Sequence, residues 1–216
     1  LYWLPKKVIF CKKSLISNQR PNSAIEFKHT TNSKKKTLNI DKNQISDSWK
    51  FSRIKNKIDY KSREKKLLKL LEKYRGKGKY DCIVPGSGGK DSCYAAHILK
   101  YKYGMNPLTV TVRPALSLEL GDQNLTNFIN SGYNHIHISP NSNVMQKLNK
   151  LGFVEKGFPY YGWLIAIMTA VIKTSANFKI PLIFYGEDGE IEYGGSTESK
   201  DKALYDIEYM KRVYLE

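Results

Sequence analysis

The chain has 216 residues, 41% of them hydrophobic, with a formal charge of +16. That is enough apolar material for one domain with a sizeable core and an appendage, which excludes a disordered or fibrous chain. Three cysteines (Cys11, Cys82, Cys93) exclude a disulfide framework and suit a reducing, cytoplasmic setting. The greasiest run, Trp163 to Ile172, is well short of the ~20 residues needed to span a bilayer, so no membrane partner is expected. Leu1 to Pro5 is too short for the apolar segment of a signal peptide.

The charge is unevenly placed. Residues 1–80 hold 23 of the 36 Lys and Arg but only 6 of the 20 Asp and Glu, so residues 81–216 are close to neutral. Residues 1–60 show weak periodicity and read as a basic, irregular N-terminal segment, a solvated surface more than a docking patch. A first helix is predicted over Ser62 to Tyr74, capped by Ser62 and ended by Gly76, with Leu67, Leu71 and Tyr74 on one face.

From Tyr80 strands and helices alternate. The pattern predicts strand Tyr80–Val84, helix Asp91–Tyr103, strand Leu108–Val112, helix Asp122–Asn130 and strand His135–Ile138. A short helix near Asn143–Leu151, an apolar helix Tyr161–Asn177, strand Leu182–Tyr185 and a last helix Ala203–Tyr214 follow. Such alternation predicts an α/β fold, a parallel twisted sheet with helices on both faces, over residues 61–216. Ligands of such sheets sit outside the carboxyl ends of the strands.

The first strand runs into Pro85-Gly86-Ser87-Gly88-Gly89-Lys90-Asp91-Ser92, and a helix begins at once behind it. Glycines let the backbone approach a ligand closely, and loop amides with the positive end of a helix make an anion site. Ser87 and Ser92 add hydroxyl donors and Lys90 a cation. Asp91 after the lysine departs from the Gly-x-x-x-x-Gly-Lys-Ser/Thr pattern, so this is not a Walker A loop. The segment resembles the PP-loop of the ATP pyrophosphatases and implies a Rossmann-like PP-loop fold that holds the pyrophosphate part of ATP. Asp91 either helps to hold Mg²⁺ or caps the helix.

A second cluster follows the last strand: Gly186-Glu187-Asp188-Gly189-Glu190-Ile191-Glu192-Tyr193-Gly194-Gly195. Four carboxylates in six residues repel one another unless a cation joins them. Their place at a strand end suits Mg²⁺ or an acceptor substrate, and an acidic surface turn is the plainer alternative. Thr111 and Arg113, at the end of the second strand, are placed to approach the base or phosphates of a nucleotide. His135 and His137 share one face of the third strand, as sheet-face histidines or, less commonly, a metal pair. Cys93, in the first turn of the loop's helix, lies where the dipole lowers a thiol pKa, and a packing role is the commoner alternative to a reactive one.

The linked motifs narrow the resemblance. Tyr80 to Ser92, Lys102 to Leu108, Asn124-Leu125 with Asn127, Gly132 to His135, Ile180 to Ile183, Tyr185-Gly186-Glu187 and Glu192 to Gly195 resemble the N-acetyl sugar amidotransferase family over about residues 55–196. The resemblance implies adenylation of the acetamido oxygen of a nucleotide-linked N-acetyl sugar, then replacement by ammonia to give an acetamidino sugar for surface polysaccharide or flagellin glycan. The ammonia would come from a glutaminase and a synthase-like partner. The implied roles are pyrophosphate binding by Gly86, Ser87, Gly88, Gly89 and Ser92, charge compensation by Lys90, and metal or substrate contacts from Asp91, Glu187 and Glu192, with ATP and Mg²⁺ consumed together.

Family members begin with two Cys-x-x-Cys pairs. Here Cys11-Lys12-Lys13-Ser14 keeps one thiol and the place of the second pair, Ile45 to Trp49, has none, so no structural zinc is expected. The N-terminal segment is then expected to be less ordered or held by other means, and the family's greater length implies that residues 61–216 are a C-terminally shortened domain. Two alternatives stand. A PP-loop enzyme that modifies tRNA would use the basic N-terminal third on phosphates, against which its lysines lack interleaved aromatics, so nucleic acid is not expected as a partner. A remnant that binds ATP without turnover is the other.

Overall fold

The computed structural model describes residues 4–20, 37–186 and 207–211. They fall into two units, residues 1–63 with 189–216, and residues 64–188.

In the first unit two tight turns hold the chain. Phe10 pairs antiparallel with Ser17 and Ile40 with Ser46, and both turns use a left-handed residue, Leu15 (φ 57°) and Gln44 (φ 60°). The Lys12 amide donates to the Gln44 carbonyl at 2.9 Å and ties one turn to the other. Between them lies the Cys11 thiol, fully buried, which accepts the Ser46 amide at 3.3 Å. Burial pushes this thiol's pKa up, but hydrogen bonds from the Ser14 and Ser46 side chains and the Ser46 and Lys13 amides outweigh it and lower it to about 6. The Ser46 hydroxyl also accepts the Trp49 amide at 3.2 Å, capping α1 (Asp47–Lys55). Sequence reading leaves this helix out because it buries no apolar stripe: Phe51 and Ile54 are exposed. The N-terminal segment is thus held by hydroxyls and amides around one thiol.

Helix α2 (Tyr60–Glu72) starts two residues before the predicted point. Asp59, not Ser62, caps it, its carboxylate accepting the Ser62 amide at 3.0 Å. In the second unit follow β1 (Cys82–Pro85), α3 (Lys90–His97) with a wider turn over Ile98–Lys102, β2 (Pro107–Val112), α4 (Glu119–Asn130), β3 (Asn134–Ile138), α5 (Ser142–Lys156) and α6 (Tyr161–Phe178). Four residues of the predicted last helix are helical, α7 (Ile207–Met210), and residues 203–206 and 212–214 lie outside the described residues.

The strands are all parallel in the order β1-β2-β3, with Val84 beside Thr109 and Thr109 beside His135. The predicted fourth strand is reduced to a single parallel pairing of Ile183 with Ile83, held by bonds from the Ile83 amide to Leu182 O (2.9 Å) and from the Phe184 amide to Ile83 O (2.8 Å). It lies on the far side of β1 from β2. Alternation along β1 sends Cys82 and Val84 to one face and Ile83 to the other. The first face packs against Leu71, Ala96, Leu99 and Phe128 from α2 to α4. The second packs, with Leu108 and Val110, against Val171 of α6 and Ile180. Helices on both faces leave the carboxyl ends of the strands as the place where loops meet. Asp81 sets the opposite end: its buried carboxylate accepts the Gly76 and Asn106 amides, each at 2.7 Å, joining the exits of α2 and of the α3 turn to β1. Among the described residues no helix is long and apolar enough to cross a membrane.

Candidate nucleotide site

The loop after β1 is fixed from three sides by backbone. On the β2 side the Gly86 amide donates to Val110 O at 2.9 Å, and the Thr111 hydroxyl donates to the Gly86 carbonyl. On the α4 side Gly88, at φ +81°, lies so close that an added Cβ would stand 2.6 Å from the Leu125 nitrogen. On the side of the Ile183 segment Gly186 does the same: a Cβ there would meet the Ser92 nitrogen at 2.6 Å and the Asp91 carbonyl carbon at 2.7 Å. A Cβ on Gly86 would fall 2.9 Å from the Ser92 side chain. Gly89, with no side chain, is the N-cap of α3, so the loop leads straight into the positive end of that helix.

The polar residues of the loop and the strand ends take distinct places. Ser87 is exposed at the loop tip, and the Ser92 hydroxyl donates to Gly89 O at 3.2 Å. Lys90 is on the surface, its Nζ 2.7 Å from both Asp91 carboxylate oxygens. In this state cation and carboxylate neutralise each other; an exposed pair of this kind contributes little to stability and is easily opened by a ligand of higher charge. Asp91 does not cap α3. Thr111 is buried and its hydroxyl is spent on Gly86 O, so it shapes the loop. Arg113 is exposed, and its amide joins β2 to β3 through Ile138 O at 2.8 Å. Glu187 and Glu192 lie outside the described residues.

Mg²⁺ takes oxygen ligands and is shared with substrate phosphates. Among the described residues of this site Asp91 is a carboxylate that could hold such an ion; its oxygens accept from Lys90 Nζ. No group of three or more His, Cys, Asp or Glu stands together among the described residues.

Two side chains gain meaning only from the fold. His135 pairs through Nδ1 with the Thr109 hydroxyl at 2.8 Å, while its Nε2 is buried without a partner. Burial, then the neighbouring His137, lowers its pKa. His137 is exposed and is the register partner of Thr111. Cys93 follows the packing reading: it lies against the core, and burial raises its pKa. A cleft of about 530 Å³ runs between α3 and α4, lined by Gly88, Tyr94, His97, Asn124, Asn127 and Tyr133 among others.

No family model matches the sequence. A stretch of 35 residues is 57% identical to an uncharacterized protein of Methanocaldococcus jannaschii, covering 16% of this chain and 13% of that one. A solved structure, described as a predicted subunit of tRNA methyltransferase from the same organism, aligns over 62% of each chain with 19% identity and a TM-score of 0.40.

Proposed function

We propose that the chain binds ATP by its pyrophosphate half at Gly86–Ser92 and transfers AMP to an acceptor oxygen, releasing pyrophosphate. The observation that supports this is the loop itself: its position is pinned by close contacts at Gly86, Gly88 and Gly186, and it leads through Gly89 directly into the N-terminus of α3. Such a cradle costs little reorganisation when an anion arrives. Ser87 and Ser92 would donate to phosphate oxygens, Lys90 would offset charge developing on the leaving pyrophosphate, and Asp91 would share Mg²⁺ with the phosphates.

Adenylation suits an acceptor whose oxygen leaves poorly, because AMP departs where hydroxide does not. Two acceptors fit. The linked motifs that resemble the N-acetyl sugar amidotransferases point to the acetamido oxygen of a nucleotide-linked sugar, with ammonia supplied by a glutaminase and its synthase-like partner. The described residues give more support to the second, an RNA base. Tyr94, His97 and Tyr101 recur at helical spacing along α3 and its following turn, all exposed, with Lys100 Nζ 5.3 Å from the Tyr101 ring centre and 4.9 Å from that of Tyr133. Exposed rings with interleaved cations are what stacked bases and phosphates require. Pyrophosphate release from Mg-ATP in the presence of ammonium, measured with a nucleotide-linked N-acetyl sugar and with tRNA in parallel, separates them. Stimulation by one acceptor alone assigns it; stimulation by neither, with ATP bound, leaves the ATP-binding remnant.

A further inference from the structure

We infer that the cleft between α3 and α4 holds an unpaired base of a single-stranded RNA, stacked on Tyr94 and read at its edge by Asn124 and Asn127; the inference deepens the RNA part of the reading above and rests on it. The cleft has a volume of about 530 Å³, within the range of small-ligand sites. Its walls are tied at both ends. At the loop end Gly88 lies close against the Asn124 and Leu125 backbone. At the other end the Tyr101 hydroxyl donates to Ser131 O at 3.4 Å, and Lys100 Nζ donates to Gly132 O. These bonds join the wider turn after α3 to the exit of α4, so the space between the helices is shaped before a ligand arrives.

The two walls carry different chemistry. On α3, Tyr94 and His97 are three residues apart and so neighbours on one face, both exposed. The His97 ring continues onto Tyr101, 4.8 Å between centres, so ring surface runs from the cleft out along the turn. Such rings offer a stacking face to any base, and Lys100, 4.9 Å from the Tyr133 ring centre, sets a cation where a phosphate of the same strand can pass. On α4, Asn124 and Asn127 are again three apart and line the cleft. Both are exposed, and their side-chain amides bond to none of the described residues. Each amide carries an acceptor and a pair of donors, the complement of a base edge. None of the described lining residues is acidic, so none repels a polyanion. An uncharged sugar would use the amides and leave the cation without a role.

The test uses labelled oligo-A, oligo-C and oligo-U RNA of about ten nucleotides, with binding read by fluorescence anisotropy at one fixed salt concentration. The full chain is compared with Tyr94→Ala, Tyr94→Phe and Asn127→Ala. Tyr94 is 67% exposed, so the fold tolerates its loss, and a parent-like urea midpoint checks this. The dissociation constant should rise about tenfold in Tyr94→Ala, the loss of one stacked base, and stay within about twofold of the parent in Tyr94→Phe, which keeps the ring. The parent should prefer one of the three oligomers, and Asn127→Ala should cut that preference about fivefold. Parent-like affinity in Tyr94→Ala, an unchanged preference in Asn127→Ala, or no RNA binding by the parent overturns the inference. Displacement of the RNA by a free N-acetyl monosaccharide also overturns it and gives the cleft to a sugar. ATP binding by the parent is read separately by calorimetry. ATP bound without RNA removes the inference and leaves the pyrophosphate cradle standing; RNA bound with these losses but no ATP removes the adenylation and leaves the cleft.

Discussion

Gly88 and Gly89 look alike in the sequence, yet the structure sets them apart, and substituting each by alanine tests the loop's geometry. Gly88 has φ +81°, where an L-residue pays about 1–2 kcal/mol. Its new Cβ would also stand 2.6 Å from the Leu125 nitrogen and 2.8 Å from the Asn124 carbonyl carbon, both backbone atoms of α4 that have no rotamer to change. Reaching ordinary contact needs a retreat of roughly 0.8 Å, an overpacking cost of about 1–3 kcal/mol. Gly88→Ala should therefore lose about 2–5 kcal/mol in urea unfolding and carry its loop away from α4, weakening ATP binding at least tenfold. Gly89 has an ordinary extended backbone, with φ −73° and ψ 159°. Its Cβ would meet the Ser87 hydroxyl at 3.6 Å, so Gly89→Ala should cost no more than about 1 kcal/mol, the difference between glycine and alanine at an N-cap. Equal stability and equal ATP affinity in the two variants would refute the reasoning.

Gly186→Ala should weaken ATP binding without a large loss of stability, because its Cβ displaces the first turn of α3 and not the core; calorimetry with ATP reads it, and parent-like affinity would count against the role given to that contact. Cys11 has its pKa lowered to about 6 in the fold. A depressed acid contributes stability above its unfolded value of about 9, lost as pH falls through the folded value, so the stability gap between the parent and Cys11→Ala should narrow from pH 9 to pH 6. Urea unfolding across that range checks it, and a gap independent of pH would show that the thiol is not ionised there. Glu64 accepts from Lys102 Nζ at 2.6 Å and from the Tyr103 hydroxyl at 2.8 Å, and these partners lower its pKa. The difference in urea stability between the parent and Glu64→Gln should be present above the ordinary carboxylate value of 4.5 and fade as pH falls below it.

The alternation of apolar runs and helical stripes is enough to read β1, β2 and α6, which bury apolar surface, and β3, whose Ile136 and Ile138 are half-buried against the core. Val84, Val110 and Val171 sit where that pattern places them. The glycine loop between β1 and α3 is legible too, since its glycines stand between an apolar run and a helical one. What the sequence conceals is the work done between distant residues. Thr111 reads as a donor to a ligand until the register shows its hydroxyl spent on Gly86. Gly186 reads as a turn glycine until its 2.6 Å approach to Ser92 appears. Helix α1 escapes because its stability comes from a cap at Ser46 and not from a buried face. The Cys11 cluster escapes because hydroxyls from residues 14 and 46 leave no spacing signature.

The most direct test of the central claim is competition between Mg-ATP and pyrophosphate for the Gly86–Ser92 loop, measured by calorimetry on the parent chain and on Gly88→Ala. One ATP per chain, displaced by pyrophosphate and weakened at least tenfold in the variant, is the result predicted here. ATP binding that pyrophosphate does not displace, or that Gly88→Ala leaves intact, would place the nucleotide elsewhere and contradict the account.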